Sequence, residues 1–272
     1  MSSIFDSAPK ISVEPTRRRL ALNAPVDLAY VIGDVHGCHD LLLELEEAIR
    51  ADAAVHANGA TPLVVFVGDL IDRGDKSSSV LDHLIDTEDG LHRISILGNH
   101  EAMFLDFLRQ PKASSRWLGY GGRETLQSYG IHGDGVSGFD MPARRLGQML
   151  NANIPDSHLN FLLACPISLR LPGYLITHAG LAAYKTLGEQ DNDDLIWSRP
   201  EFLDDEDDSA ARLGLAEAGL VLIHGHVPQE DVLYLPHRIN VDTGAYASGK
   251  LSALRIMPNQ EPAAISVERK TS

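Results

Sequence analysis

Three times in the first hundred residues a short strand-like run stops at a glycine-led polar turn and hands over to a helical stripe. Residues 28–32 run into GDVHG (33–37), residues 63–67 into GDLIDRG (68–74), and residues 93–97 into GNHE (98–101). The stripes that follow are Leu41, Leu42, Leu45 and Ile49, then Val80, Leu81, Leu84 and Ile85, then Met103, Phe104, Phe107 and Leu108. Their spacing predicts helices over 40–50, over 77–86 and through 103–108. Strand–turn–helix units in series require βαβ crossovers and a largely parallel sheet. Ligands of such sheets gather at the carboxyl ends of the strands, where these three turns fall. The turns are therefore expected to meet in space.

The middle of the chain, 117–164, predicts further helices, entered at Gly121-Gly122 and then over 141–150 and 156–163. Beyond Pro166 the text is strand-rich, at 167–171, 174–177, 220–223, 238–241 and 251–256, with a Pro172-Gly173 turn. Closely spaced strands joined by such a turn favour an antiparallel or mixed second sheet. The expected fold class is α/β, two sheets packed together with helices outside. Residues 1–26, punctuated by Pro9, Pro15 and Pro25, are expected as an N-terminal extension, 27–258 as the catalytic domain and 259–272 as a C-terminal tail. Arg17, Arg18 and Arg19 are expected on a solvated surface.

A formal net charge of −15 argues against nucleic acid as a partner, because polyanion binding rests on Lys and Arg. It also means that a phosphate-bearing substrate needs a local reversal of the field, for which divalent cations are the strongest candidates. The acidic clusters at 191–194 and 204–208 lack calcium-loop spacing and are expected as solvated loops. No run has the roughly 18 apolar residues of a membrane helix, so no membrane partner and a cytoplasmic setting are expected. Two cysteines, Cys38 and Cys165, make no disulfide framework.

Two late strands also end in histidine-bearing turns, His178-Ala179-Gly180 and His224-Gly225-His226. Together with Asp34, His36, Asp69 and Asn99 they form a set of oxygen and imidazole donors without thiolate. That composition excludes a structural zinc knot and suits Mn²⁺, Fe²⁺ or Zn²⁺. The donors outnumber what one ion uses, which points to a two-metal site with a bridging carboxylate. Competing chemistries fail on spacing. Cys165 and Arg170 are separated by four residues where a cysteine phosphatase needs five, and there is no Gly-x-Ser-x-Gly elbow. GAYASGKL (244–251) lacks the hydroxyl of a phosphate loop and leads into a strand. Water is left as the nucleophile.

In this order, GDVHG, GDLIDRG, GNHE, HAG and GH closely resemble the phosphoprotein phosphatase family of calcineurin-like metallophosphoesterases, in particular its bacterial and bacteriophage-type Ser/Thr phosphatase branch. The resemblance spans about 29–256 and implies a metallophosphoesterase-type β-sandwich of two mixed sheets flanked by helices. It implies two divalent ions, Mn²⁺ foremost with Fe²⁺, Fe³⁺ or Zn²⁺ as alternatives. Asp34, His36 and Asp69 would hold the first ion, Asp69, Asn99, His178 and His226 the second, with Asp69 bridging. Water shared by the ions would attack phosphorus directly. His100 would be the general acid, Asp72 its support and Arg73 a phosphate clamp, with Arg199, Asn99 and Tyr246 completing the phosphate pocket. The implied substrate is a phosphorylated protein, on Ser or Thr with Tyr also open, or a small phosphoester. A dinucleoside tetraphosphatase is the alternative, and a non-catalytic phosphate-binding module a remote one. Asp75, where the family often has proline, and Cys38-His39 depart from the pattern on the substrate side. Substrate choice is expected from the loops around Trp117, Arg199 and Tyr246.

Overall fold

The computed structural model describes residues 17–57, 59–86, 91–111, 115–133, 142–199 and 214–269. The acidic cluster 204–208 and residues 1–16 lie outside these.

Each of the three leading units forms as its pattern requires. Strand β1 (Arg19–Ala21) precedes them, and β2 (Ala29–Ile32), β3 (Leu63–Phe66) and β4 (His92–Ser95) then alternate with helices α1 (His39–His56), α2 (Ser77–Ile85) and α3 (Asn99–Arg109). Helix α1 outruns its expected end at 50 because Ala51, Ala53, Ala54 and Val55 add no breaker, and Ala53 still packs into the core. A 3-10 turn over Ser115–Tyr120 leads into α4 (Gly122–Ser128), followed by α5 (Ala143–Asn153) and α6 (Asp156–Ala164). The strand-rich half supplies β5 (Ser168–Leu171), β6 (Tyr174–Thr177), α7 (Asn192–Trp197), β7 (Val221–His224), β8 (Leu233–Leu235), β9 (Arg238–Asn240), α8 (Ala245–Ser248), β10 (Lys250–Ile256) and β11 (Ala263–Glu268).

The strands form two mixed sheets, as expected, one ordered β11-β10-β2-β3-β4 and the other β1-β5-β6-β7-β9-β8. β2, β3 and β4 run parallel, in the register Val31↔Val65↔Ile94, and β6, β7 and β9 run parallel in the second sheet. Alternation along the strands builds two cores. Val31, Val65, Ile176, Ile223, Ile239 and Leu254 pack between the sheets. Tyr30, Ile32, Val64 and Phe66 point the other way, under Leu41, Leu45, Ile49 and Val80 of α1 and α2. Burial on both faces explains why β2 and β3 read as unbroken apolar runs. Each such fully buried aliphatic side chain contributes about 1.5–3 kcal/mol.

Both ends of the chain add an edge strand. Residues 259–272 are not simply a tail, because β11 pairs antiparallel with β10 and tucks Ile265 and Val267 against the helix-side core. The extension 1–26 likewise contributes β1, parallel to β5. Arg17 and Arg18 are tied to carbonyls at the end of α6, Leu162, Leu163 and Cys165 for Arg17 and Ala164 for Arg18. Cation against helix C-terminus is the favourable sense of the dipole. Among the described residues no helix is long and apolar enough to cross a membrane.

Candidate metal centre and phosphate site

All five polar turns converge at the carboxyl ends of β2, β3, β4, β6 and β7. Six described non-glycine residues have positive φ, and five of them, His36, Asp69, Asp72, Arg73 and His226, lie in these turns. Left-handed backbone costs such residues about 1–3 kcal/mol each and persists only where the surroundings enforce it. Small residues make the turns close enough. A Cβ on Gly225 would collide with Asp34 Oδ1, so only glycine lets the His226 turn reach the Asp34 carboxylate, which accepts the His226 N–H at 3.1 Å.

Asp69 sits at the centre. Its Oδ2 is 3.5 Å from His36 Nε2 and its Oδ1 is 3.4 Å from His178 Nε2. The remote nitrogens of both rings face carbonyls, His36 Nδ1 at 2.9 Å from Ile71 O and His178 Nδ1 at 3.1 Å from Val67 O. A carbonyl only accepts, so each Nδ1 donates and each Nε2 turns a lone pair inward. Asn99 Oδ1 lies 2.8 Å from His178 Nε2 and 3.1 Å from His226 Nδ1. Acceptors thus face acceptors across the centre, an arrangement that a cation resolves. Two donor sets, His36–Asp69–His100 and Asp69–His178–His226, each bring their ligand atoms within 4.8 Å of one another, and Asp69 belongs to both.

The electrostatics fit the same group. Burial pushes His36 and His226 down to about 3 and lowers His178 as well, so the imidazoles are neutral and free to ligate. Burial, with Asp242 and Asp69 nearby, raises the Asp34 carboxyl well above the ordinary range, and burial lifts Asp242 to about 7. Burial works against ionisation of Asp69 too, but His178, His100, His36 and His226 outweigh it and hold the group well below the carboxylate range. Buried carboxylates crowded around neutral imidazoles suit divalent cations.

Asp34 borders the compact His36–Asp69–His100 set. Its carboxylate faces the His226 backbone. His100, expected as an acid, lies within that set, with Nε2 at 3.8 Å from Asp69 Oδ2 and Nδ1 at 2.6 Å from Asp72 Oδ2. Although burial opposes it, the charges of Asp69 and Asp72 raise the His100 pKa. Arg73 lies 4.5 Å over the Tyr246 ring and donates to His100 Nε2 at 3.2 Å. Tyr246 also meets His36 edge-on at 5.3 Å, and Trp197 meets His226 at 6.5 Å. Arg199, exposed, is near enough for its charge to be among the causes of the lowered His226 pKa. His224 is buried away from the centre with its Nδ1 at 2.9 Å from Gly225 O.

Three residues at the site escaped the motif reading. Glu101 accepts four backbone N–H groups, from Asp69, Leu70, Ile71 and Gly98, and so fixes the turn that carries Asp69. Its place at the third position of α3, where a carboxylate reaches back to the helix start, was a usable signal. Asp242 gave none. Trp117, expected on a substrate loop, is instead 1% exposed and bonded to Asp72.

Against known proteins, the family model described as calcineurin-like phosphoesterase matches residues 29–251. The chain belongs to the calcineurin-like phosphoesterases. It is 28% identical over 229 residues to serine/threonine-protein phosphatase 2 of Salmonella typhimurium, covering 84% of this chain and 92% of that one. It is 25% identical over 237 residues to an asymmetrical bis(5'-nucleosyl)-tetraphosphatase of Anoxybacillus flavithermus, covering 83% and 89%. The fold is similar to that of a cold-active protein-tyrosine phosphatase from a psychrophilic Shewanella, with a TM-score of 0.60, 16% identity, and 92% and 83% of the two chains covered. As a member of this family the protein is a hydrolase of phosphoesters. The family uses a dinuclear divalent site, for which the donor sets around Asp69 are the candidates.

Proposed function

We propose that this phosphoesterase is a phosphoprotein phosphatase acting on phosphoserine and phosphothreonine. The observation that carries the reading is the buried Asp72–His100 pair, bonded at 2.6 Å, whose outer nitrogen faces the Asp69 cluster. An alkoxide leaves from phosphorus only with a proton supplied, whereas a nucleotide phosphate is a far better leaving group. A carboxylate-held imidazole beside the donor cluster answers the first need. The identity to a bacterial serine/threonine-protein phosphatase supports the same reading.

In this reading two ions, Mn²⁺ being our choice for the pair, would be held by Asp34, His36 and Asp69 and by Asp69, Asn99, His178 and His226, Asp69 serving both. Bound there, divalent cations would supply Lewis acidity toward water and offset phosphoryl charge. The chain's own residues do the rest. Asn99 and Arg199 border the phosphate, and Arg73 turns from His100 Nε2 to the phosphoryl oxygens, its planar fork matching them in pairs. That rotation frees Nε2, until then an acceptor, to carry a proton and pass it to the leaving oxygen, while Asp72 holds the ring by Nδ1.

One observation favours a second reading, asymmetrical tetraphosphate hydrolysis. The half-exposed rings of Tyr246 and Trp197 flank the cluster and could stack on a purine. Hydrolysis of phosphoserine and phosphothreonine peptides against diadenosine tetraphosphate, by Mn²⁺-loaded wild type and His100→Asn, decides between them. We expect higher kcat/KM on the peptides and a loss of about 10²-fold or more in the variant. A higher kcat/KM on the dinucleotide would replace the first reading with the second.

A further inference from the structure

The Asp72 carboxylate has three side-chain partners, and the one that shares an oxygen with His100 is an indole. Trp117 Nε1–H donates to Asp72 Oδ2 at 2.6 Å, the same oxygen that His100 Nδ1 meets at 2.6 Å. Thr125 Oγ1 takes the other oxygen at 2.6 Å, and the Asp72 N–H is accepted by Thr125 Oγ1 at 2.9 Å and Ser77 Oγ at 3.0 Å. The Trp117 ring is packed at 5.1 Å from Phe104 and 4.8 Å from Phe107, and a Cβ on Gly122 would collide with it. Next door, Arg73 N–H donates to Gly121 O at 3.3 Å. The segment 115–125 is thus a socket built around Asp72 and Arg73. Packing between Phe104 and Phe107 asks for an aromatic ring, which Phe would keep, but not for an N–H. The N–H aimed at a carboxylate oxygen calls for a second reason.

We propose that Trp117 is a positioning residue for proton delivery to the leaving group, its indole N–H fixing the Asp72 carboxylate that orients His100. The inference rests on the reading of His100 as the acid. In that step the bond from phosphorus to the leaving oxygen breaks with its electron pair on oxygen. The proton on His100 Nε2 passes to that oxygen, and the neutral ring stays bonded to Asp72 through Nδ1–H. An Asp72 carboxylate free to rotate would let the ring swing off that line.

Leaving-group dependence separates positioning from mere stability, because a nitrophenolate departs without a proton and an alkoxide does not. With Mn²⁺-loaded wild type, Trp117→Phe and His100→Asn, kcat and KM are measured on a phosphoserine peptide and on p-nitrophenyl phosphate. Loss of one bond to a charged group predicts a fall of about tenfold in kcat on the peptide for Trp117→Phe, with KM unchanged. On p-nitrophenyl phosphate we expect less than about a twofold change. His100→Asn should show the same selectivity, larger. If His100→Asn lowers both substrates alike, the acid reading falls and takes the proposal with it. If His100→Asn is selective and Trp117→Phe lowers both alike, or neither, the Trp117 proposal alone is overturned.

A measurement on protein that keeps Trp117 guards against a misfolded variant. The chain has two tryptophans, so the proton–nitrogen spectrum of the Mg²⁺-loaded protein carries two indole signals, assigned with Trp197→Phe. The Trp117 indole proton should lie downfield of its partner and move on His100→Asn. An indole signal that His100→Asn leaves in place overturns the proposal.

Discussion

At the residue scale the site depends on side chains that never touch substrate. Glu101 is fully buried and spends both oxygens on main chain, Oε2 on Asp69 and Gly98 at 2.9 Å each, Oε1 on Leu70 at 2.8 Å and Ile71 at 3.2 Å. Three of those donors, Asp69, Leu70 and Ile71, belong to the turn that holds Asp69 in its left-handed conformation. Glu101→Gln keeps the shape but swaps one acceptor for an NH2, leaving about two buried N–H groups opposed by a donor. At about 1–3 kcal/mol for each such group, the variant should lose roughly 3 kcal/mol in urea unfolding. Because the strain of the turn is released in the same change, metal content should fall from two ions per chain. A variant that unfolds at the wild-type midpoint with two ions bound would show that the turn holds itself.

At the element scale the helices and the edge of the first sheet are joined by a buried charge. Glu46 on α1 is 1% exposed and takes Arg93 of β4 through two bonds, 2.9 and 2.7 Å, with His83 of α2 at 2.9 Å. Burial works against its ionisation, and the bonds from His83 and Arg93 outweigh it, so its folded pKa is lowered. A carboxylate depressed in the folded state contributes stability that is full above its unfolded pKa of ~4.3 and is lost as pH falls through the folded value. Glu46→Ala leaves Arg93 buried without this partner and should cost about 3–5 kcal/mol at pH 7. Urea midpoints measured from pH 7 down to 3 should fall more steeply for wild type than for the variant, and parallel curves would remove Glu46 from the acid limb. The same elements explain what could be read from sequence. β2, β3, α1 and α2 carry their own periodicity, and GDVHG, GDLIDRG and GNHE carry their own chemistry. β1 and β11 are edge strands whose existence depends on β5 and β10. The I-S-V-E alternation at 265–268 was present but is only four residues long. Glu46, Trp117 and Asp242 act through contacts made far along the chain, which no local spacing encodes.

On the scale of the whole molecule, a chain with net charge −15 folds three carboxylates, Asp34, Asp69 and Asp242, into one buried pocket. Their mutual repulsion is part of the folded state and not of the extended one, so a cation that enters the pocket stabilises the fold by mass action. At about one hundred times its Kd a bound ion adds ~2.7 kcal/mol, which for a chain of this size raises Tm by about 5 °C or more. Asp69, central to both donor sets, is the group whose charge matters most in each state. Without an ion the histidines around Asp69 still favour its charge, so Asp69→Asn should lower the melting temperature in chelator, as a core substitution usually does. On adding Mn²⁺, wild type should gain those degrees and the variant should not move. A variant that gains the same increment from Mn²⁺ as wild type would mean that the ions bind elsewhere.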